Sequence, residues 1–158
     1  MASEGKQAFN GTWVLDWDRS DNIEELMKAQ GIGYLKRKAA SNVSVTMTIK
    51  INEDGSHMVA DIQSFFRKSV EEVPMDGRVE QKESPELGPI EQKAYWKEEE
   101  GQIIQMMEVS SNLAGYKGNT IIRRKIIDNG NAIETTFTFK PADGSAEVTA
   151  KRVLKKQA

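Results

Sequence analysis

The chain contains no cysteine, one histidine (His57) and no apolar run that approaches the roughly 20 residues of a membrane span. Without cysteine, no disulfide framework, thiolate nucleophile or zinc–thiolate site can form, which is consistent with the cytosol. His57 follows a turn and has no second histidine to join it, so neither a Ser–His pair nor a histidine metal site can be built. We therefore expect no cofactor and no bound metal.

Charge of one sign is also missing. The formal net charge is -2 and the charged residues are spread along the chain, which argues against a nucleic-acid partner. Residues 1–6 are polar and lack the apolar stretch of a secretory signal. With 158 residues, the chain is long enough for one domain with a real core. We expect a single domain over residues 1–158, cytoplasmic and monomeric.

Alternation of apolar and polar residues runs through most of the chain and predicts β-strands. Residues 43–51 and 133–139 show it most clearly, and Asp/Asn/Gly turns separate the segments. About ten short strands follow one another without crossover helices, which favours an antiparallel meander. A meander of this length usually closes, because closure removes exposed edges. The first strand, around Trp13, is then expected to meet the last one, around Arg152.

One segment near the N-terminus is predicted to be helical. Ile23, Leu26 and Met27 form an i, i+3, i+4 stripe, Asn22 and Glu25 have the spacing of a capping box, and Gly31 ends the helix. Residues 33–40 predict a second short helix. The helical pair is the one interruption of the strand pattern.

The last predicted strand, residues 146–155, places an arginine on its apolar face. Val148, Ala150, Arg152 and Leu154 share one parity, so the side chain of Arg152 faces inward with them. A guanidinium on an inward face is costly unless an anionic or hydrogen-bonding group meets it. That group is either a ligand carboxylate or an internal glutamate or water.

A second inward arginine is expected in the strand at residues 120–127. Arg123 lies on one parity with Ile121 and Ile127, and Arg124 lies on the other with Ile122 and Ile126. Each face therefore contains an arginine. Periodicity leaves the choice between them open.

Four motifs along the chain resemble the intracellular lipid-binding protein family, which comprises the fatty-acid-binding and cellular retinoid-binding proteins. Residues 9–13 (FNGTW) resemble its opening Phe-x-Gly-x-Trp, and residues 31–38 (GIGYLKRK) are similar to its helix-turn-helix segment. Residues 120–123 (TIIR) stand where the family has its first pocket arginine, and residues 152–154 (RVL) stand where it has a closing Arg-x-Tyr. Their order and spacing extend the resemblance over nearly the whole chain.

The resemblance implies an all-β fold: a ten-stranded antiparallel up-and-down β-barrel, or β-clam, capped by a short helix-turn-helix. It implies non-covalent binding and transport of a fatty acid, retinoid-like molecule or similar lipophilic carboxylate in the barrel cavity. It assigns the carboxylate to Arg123 and Arg152, and places Leu154 where the family has a hydroxyl-bearing tyrosine. Further ligand-lining positions follow from the same match: Gln105, Met107, Thr135, Phe137 and, at the entry portal, Phe66.

A membrane contact of the carrier and two functions other than carriage stay open at this point. Basic residues of the helical pair and of the turn at 67–68 favour transient contact with an anionic membrane surface, although they equally fit a solvated helix face. A metal-free enzyme acting on a lipophile in the same cavity is the alternative function. A barrel that has lost ligand binding and acts through its surface is the third.

Overall fold

The computed structural model describes residues 3–41, 43–64, 68–84, 88–111 and 118–157, and in this part of the chain ten strands form one antiparallel sheet. The strands follow one another in sequence around the sheet, in the order β4-β3-β2-β1-β10-β9-β8-β7-β6-β5. Their bounds are β1 Gly11–Asp16, β2 Val45–Ile51, β3 His57–Ser64, β4 Lys68–Pro74, β5 Glu80–Ser84, β6 Gly88–Glu99, β7 Gln102–Ser110, β8 Gly118–Ile127, β9 Ala132–Pro141 and β10 Val148–Lys156.

The chain closes where its first and last strands meet, as predicted. β1 pairs with β10, and Leu15 lies opposite Leu154. The two edges of the sheet, β4 and β5, are not paired with each other within the described residues. The Lys82 ammonium on β5 donates instead to the backbone carbonyl of Glu72 on β4, at 3.0 Å. The sheet therefore curls into a β-clam whose edges are joined by a side chain.

Both predicted helices are present, as α2 (Glu24–Ala29) and α3 (Tyr34–Ser41). Gly31 has a φ of 81°, a conformation that glycine adopts without strain, and this ends α2. The expected capping box is wrong in detail, because the Asn22 side chain accepts the backbone N–H of Glu24 at 2.8 Å. None of the helices in the described part of the chain is both long and apolar enough to cross a bilayer.

A third helix, α1 (Ser3–Gln7), precedes the strands and was not predicted. Five residues are too few to show helical periodicity. Gly5 of α1 lies so close to Ile103 of β7 that a β-carbon on it would come within 2.4 Å of that side chain. Helix α1 therefore packs tightly against Ile103, which itself packs on the larger hydrophobic cluster, and only glycine fits at this contact.

Two hydrophobic clusters form the core and leave the middle of the clam for a site. The larger one is built around fully buried Phe9 and Trp13, whose indole N–H donates to the Phe9 carbonyl at 3.1 Å. The smaller one joins Leu26 of α2 to Phe139 and Ala150 of the sheet. Helix α2 is thus fixed to β9, which holds Thr135 and Phe137, and to β10, which holds Arg152 and Leu154.

Candidate ligand-binding cavity

Two adjoining cavities occupy the interior of the clam. The first, of about 520 Å³, lies beneath the helical pair, and its walls include Met27, Ile32 and Arg152. The second, of about 490 Å³, lies between the strands, and its walls include Met107 and Arg124. Ile62 and Glu71 line both cavities, so the two spaces share a wall. Together they have the size and largely apolar lining of a site for a lipophilic small molecule.

A polar row crosses four neighbouring strands on the inner face of the sheet. Gln105 of β7 lies opposite Arg124 of β8, which lies opposite Thr135 of β9, which lies opposite Arg152 of β10. Neighbouring strands are about 4.8 Å apart, so the backbones of the two arginines are separated by roughly 10 Å. The hydroxyl of Thr135 stands between them. We call these four residues the polar row.

Within the row, Arg124 is partly satisfied by protein groups. Its guanidinium donates to the side-chain oxygen of Gln105 at 3.0 Å, while the amide nitrogen of Gln105 contacts the sulfur of Met58 at 3.1 Å. Burial lowers the pKa of Arg124, and the charge of Glu71 acts in the opposite direction. The Nε of Arg124 is buried without a hydrogen-bond partner among the described residues. Arg124 thus has one hydrogen bond from its guanidinium to Gln105, the negative charge of Glu71 in its surroundings, and one buried N–H without a partner among the described residues.

Arg152 lacks such a counter-charge. Burial lowers its pKa, and no carboxylate among the described residues pairs with it. Its guanidinium lies 5.6 Å from the ring centroid of Trp17, a cation–π contact, and its Nε is buried without a partner. Of the two readings of this residue, pairing with an internal glutamate is not seen in the described part of the chain. Arg152 is therefore a cation in a cavity wall without an anionic partner among the described residues.

The prediction that Arg123 faces the interior is wrong. Arg123 lies on the outer face of β8 and forms an ion pair with Glu99, in which both side chains are about one third exposed. The inner face of β8 instead holds Thr120, Ile122, Arg124 and Ile126. The sequence contains an arginine and isoleucines on both parities, so strand register alone decides which arginine is internal. The resemblance of residues 120–123 to the family motif selected Arg123, the neighbour of the internal arginine.

The other predicted positions fall into two groups. Gln105 and Thr135, 1% and 2% exposed, belong to the polar row, and Met107 lines the second cavity. Leu154 instead packs in the larger hydrophobic cluster, and Phe137 is partly buried against the smaller one. Phe66 lies outside the described residues, so its assignment to the portal stays a prediction.

Two residues of the interior, Glu71 and Gln92, were missed by sequence reasoning. Glu71 had the appearance of an edge charge but lines both cavities, because Glu71 and Val73 share the inner face of β4 while Val70 is 65% exposed. Gln92 is buried in a strand that also holds Tyr95 and Trp96. The parity of Gln92 with Ile90 and Ala94 would have identified it as inward-facing.

Among the described residues, no three histidine or acidic side chains come together in a way that could hold a metal ion.

Comparison with known proteins places this geometry in a family. No family model matches the chain. The fatty acid-binding protein of Clonorchis sinensis is 31% identical over 141 residues, which are 84% of this chain and 90% of that protein. The intestinal fatty acid-binding protein of Homo sapiens is 28% identical over 151 residues, 94% of this chain and 98% of that protein.

Solved structures agree in fold. The Schistosoma mansoni fatty acid binding protein in complex with arachidonic acid superposes with a TM-score of 0.73 at 21% identity, over 98% of this chain and 99% of that one. Echinococcus granulosus fatty-acid-binding protein 1 gives 0.73 at 18% identity, over 96% and 98%. The resemblance seen in the four motifs is therefore confirmed, and the chain belongs to the intracellular lipid-binding protein family, with the fatty-acid-binding proteins as its relatives.

Proposed function

We propose that the protein binds one lipophilic carboxylate, a long-chain fatty acid or retinoid-like molecule, non-covalently in its cavities and carries it through water. The observation behind the proposal is the polar row, in which the Nε atoms of Arg124 and Arg152 and the hydroxyl of Thr135 are buried without a hydrogen-bond partner in the described part of the chain. Buried donors are costly when unpaired, and a carboxylate accepts several hydrogen bonds at once. A ligand carboxylate at this row would accept hydrogen bonds from both Nε–H groups and from the Thr135 hydroxyl.

Arg152 is the principal receptor in this proposal. Arg124 is influenced by the charge of Glu71 and donates a hydrogen bond to Gln105. Arg152, by contrast, has neither a carboxylate partner nor a hydrogen-bond acceptor among the described residues. A charge-assisted hydrogen bond to Arg152 contributes about 1.5–3 kcal/mol. Thr135 supplies a hydroxyl in the same row, although Leu154 removes the one that the family's tyrosine provides.

The tail of the ligand supplies most of the affinity. Each methylene that leaves water contributes about 0.8 kcal/mol, so several buried methylenes outweigh the head-group contact. The apolar wall residues available to the tail include Met27, Ile32 and Ile62 in the first cavity and Met107 and Val109 in the second. The head group therefore sets selectivity for acids, and the tail sets affinity.

Mass spectrometry of the purified protein under native conditions, followed by lipid extraction, tests this function. We expect a co-purified or exchangeable fatty acid or retinoid, and displacement of a fluorescent fatty-acid probe by long-chain acids. A cavity that takes up neither the probe nor any such acid would overturn the carrier function. Turnover of the bound lipophile would instead support the enzymatic alternative.

We further propose that ligand enters through the helical pair during transient contact with anionic membranes. Leu35 and Tyr34 at the start of α3 are 81% and 60% exposed, and Lys36 beside them lines the first cavity. Exposed apolar groups next to basic ones suit an anionic lipid surface. Transfer of a fluorescent fatty acid to vesicles should be faster with phosphatidylserine than with phosphatidylcholine alone, and Leu35→Ser should slow it.

The proposal keeps the expectation of a cytoplasmic monomer. Size-exclusion chromatography with light scattering checks the mass in solution, and imaging of the tagged protein in its own cells checks the compartment.

A further inference from the structure

The second cavity contains a polar group that a hydrocarbon tail cannot satisfy. Gln92 of β6 is 6% exposed, lines this cavity, and has its side-chain amide nitrogen buried without a hydrogen-bond partner among the described residues. Its neighbours on the inner face of β6 are Ile90 and Ala94, and Val109 lies opposite it on β7. A buried amide donor in apolar surroundings destabilises the empty site unless an acceptor reaches it.

An acceptor-only group lies in the wall of the same cavity. The carboxylate of Glu71 on β4 faces inward there, and no ion pair joins it to a basic side chain in the described ranges. Arg124, which it influences by charge, gives its described hydrogen bond to Gln105 instead. The cavity therefore offers a donor at Gln92 and an acceptor at Glu71.

The combination selects among ligand chemistries. A saturated or unsaturated hydrocarbon chain offers neither donor nor acceptor. A keto group accepts from Gln92 but donates nothing to Glu71, and an amine or a second carboxylate meets only one of the two groups. A hydroxyl is donor and acceptor together, so it suits a wall that displays both.

We propose that the second cavity contains a subsite, formed by Gln92 and Glu71, for a hydroxyl group on the tail of the bound lipophilic carboxylate. The inference rests on the proposed function, since the carboxylate end of the same ligand occupies the polar row. The preferred ligand class is accordingly a hydroxylated fatty acid. The row selects the acid, and the subsite selects the oxygenated tail.

Two matched ligand pairs test the subsite by displacement of a fluorescent fatty-acid probe. Ricinoleate and oleate differ by one hydroxyl in mid-chain, and ω-hydroxypalmitate and palmitate differ by one at the chain end. In an apolar cavity the hydroxyl weakens binding about ten-fold or more, because it loses water without gaining a partner. We expect at least one hydroxylated member to bind this protein as tightly as its parent or more tightly.

The variant Gln92→Leu should weaken that hydroxylated ligand about ten-fold while leaving its parent acid unaffected or bound more tightly. Gln81→Leu is the matched control, because Gln81 is an exposed glutamine on β5 whose side-chain amide donates to the Glu91 carboxylate at 2.9 Å. It should change neither affinity. Glu71→Gln, which keeps the shape of the side chain, provides a second variant if Gln92→Leu folds poorly.

These measurements distinguish failure of the proposed carrier function from failure of the hydroxyl subsite. If neither the probe nor any of the four acids nor retinoic acid binds, the proposed function fails. If oleate and palmitate bind but both hydroxylated acids are weaker by ten-fold or more in the wild-type protein, the subsite is wrong and the carrier function stands. Equal losses of the hydroxylated and parent acids in Gln92→Leu would likewise overturn the subsite, since they would indicate a packing role for Gln92.

Discussion

Replacement of Arg152 by methionine should separate ligand recognition from stability. The change removes the guanidinium and retains an unbranched apolar side chain of similar reach. In the ligand-free protein Arg152 contributes a cation–π contact with Trp17 at 5.6 Å, and it has no carboxylate partner within the described residues. Such contacts are worth about 0.5–1 kcal/mol at partly exposed sites. Because methionine also avoids the desolvation of a charge, we expect the free energy of unfolding to be unchanged or higher.

Ligand binding should respond in the opposite direction. Loss of a charge-assisted hydrogen bond of about 1.5–3 kcal/mol corresponds to roughly 10- to 150-fold weaker binding of a carboxylate. The alcohol of the same chain length makes no such contact, so its affinity should change by less than about three-fold. Displacement titrations with palmitate and hexadecanol measure both values, and thermal unfolding of the delipidated protein measures stability.

Two outcomes would refute this reasoning. Equal losses for palmitate and hexadecanol would mean that Arg152 shapes the cavity without receiving the carboxylate. A ligand-free variant that is less stable by more than about 2 kcal/mol would mean that Arg152 is a paired structural residue, because removing one partner of a buried pair is strongly destabilising. The variant Arg152→Lys keeps the charge and should retain an intermediate preference for the acid.

Three further predictions concern register, packing and pH. Arg124→Gln should weaken palmitate by several-fold or more, whereas Arg123→Gln, on the outer face, should leave binding unchanged and raise the lowered pKa of its carboxylate partner toward the ordinary value. Gly118→Ala should lower the free energy of unfolding by about 1–3 kcal/mol, because its β-carbon would come within 2.4 Å of a phenylalanine ring. Gly33→Ala, whose β-carbon would meet no atom of the described residues beyond its chain neighbours within 4 Å, should be neutral or slightly stabilising in chemical denaturation. The hydrogen bond from Tyr95 to its carboxylate acceptor raises the pKa of Tyr95 from 10.0 to about 12. Its contribution to the free energy of unfolding is therefore complete below pH 10 and is lost as the pH rises through about 12, and Tyr95→Phe should abolish that loss. A spectrophotometric titration in which no tyrosine titrates near pH 12 would contradict this prediction.

The architecture was predictable because it depends on patterns that local physics enforces. Alternation with a period of two gives strands, and short Asp/Asn/Gly turns allow only antiparallel neighbours, so ten successive strands lead to a meander that closes on itself. The stripe at Ile23, Leu26 and Met27 predicted α2, and Gly31 predicted its end. Helix α1 was missed because five polar residues carry no period.

The polar row was predictable in part for the same reason. Arg152 shares its parity with Val148, Ala150 and Leu154, so the alternation alone assigns its side chain to the inner face. In the strand that contains Arg123 and Arg124, both faces contain isoleucine, so the alternation does not indicate which arginine faces inward. Motif similarity then favoured Arg123, and the register of β8 against β7 and β9 places Arg124 inside.

Periodicity along the chain thus determines the strands, their order and the inward cation at Arg152, since these depend on neighbours a few residues away. The pairing of Arg123 with Glu99, the inward position of Glu71, and the meeting of Gln105, Arg124, Thr135 and Arg152 depend on which residue of a distant strand lies opposite. A shift of one residue in register would turn every one of these side chains to the other face. Sheet closure and hydrophobic packing set that register, and with it the chemistry of the cavity.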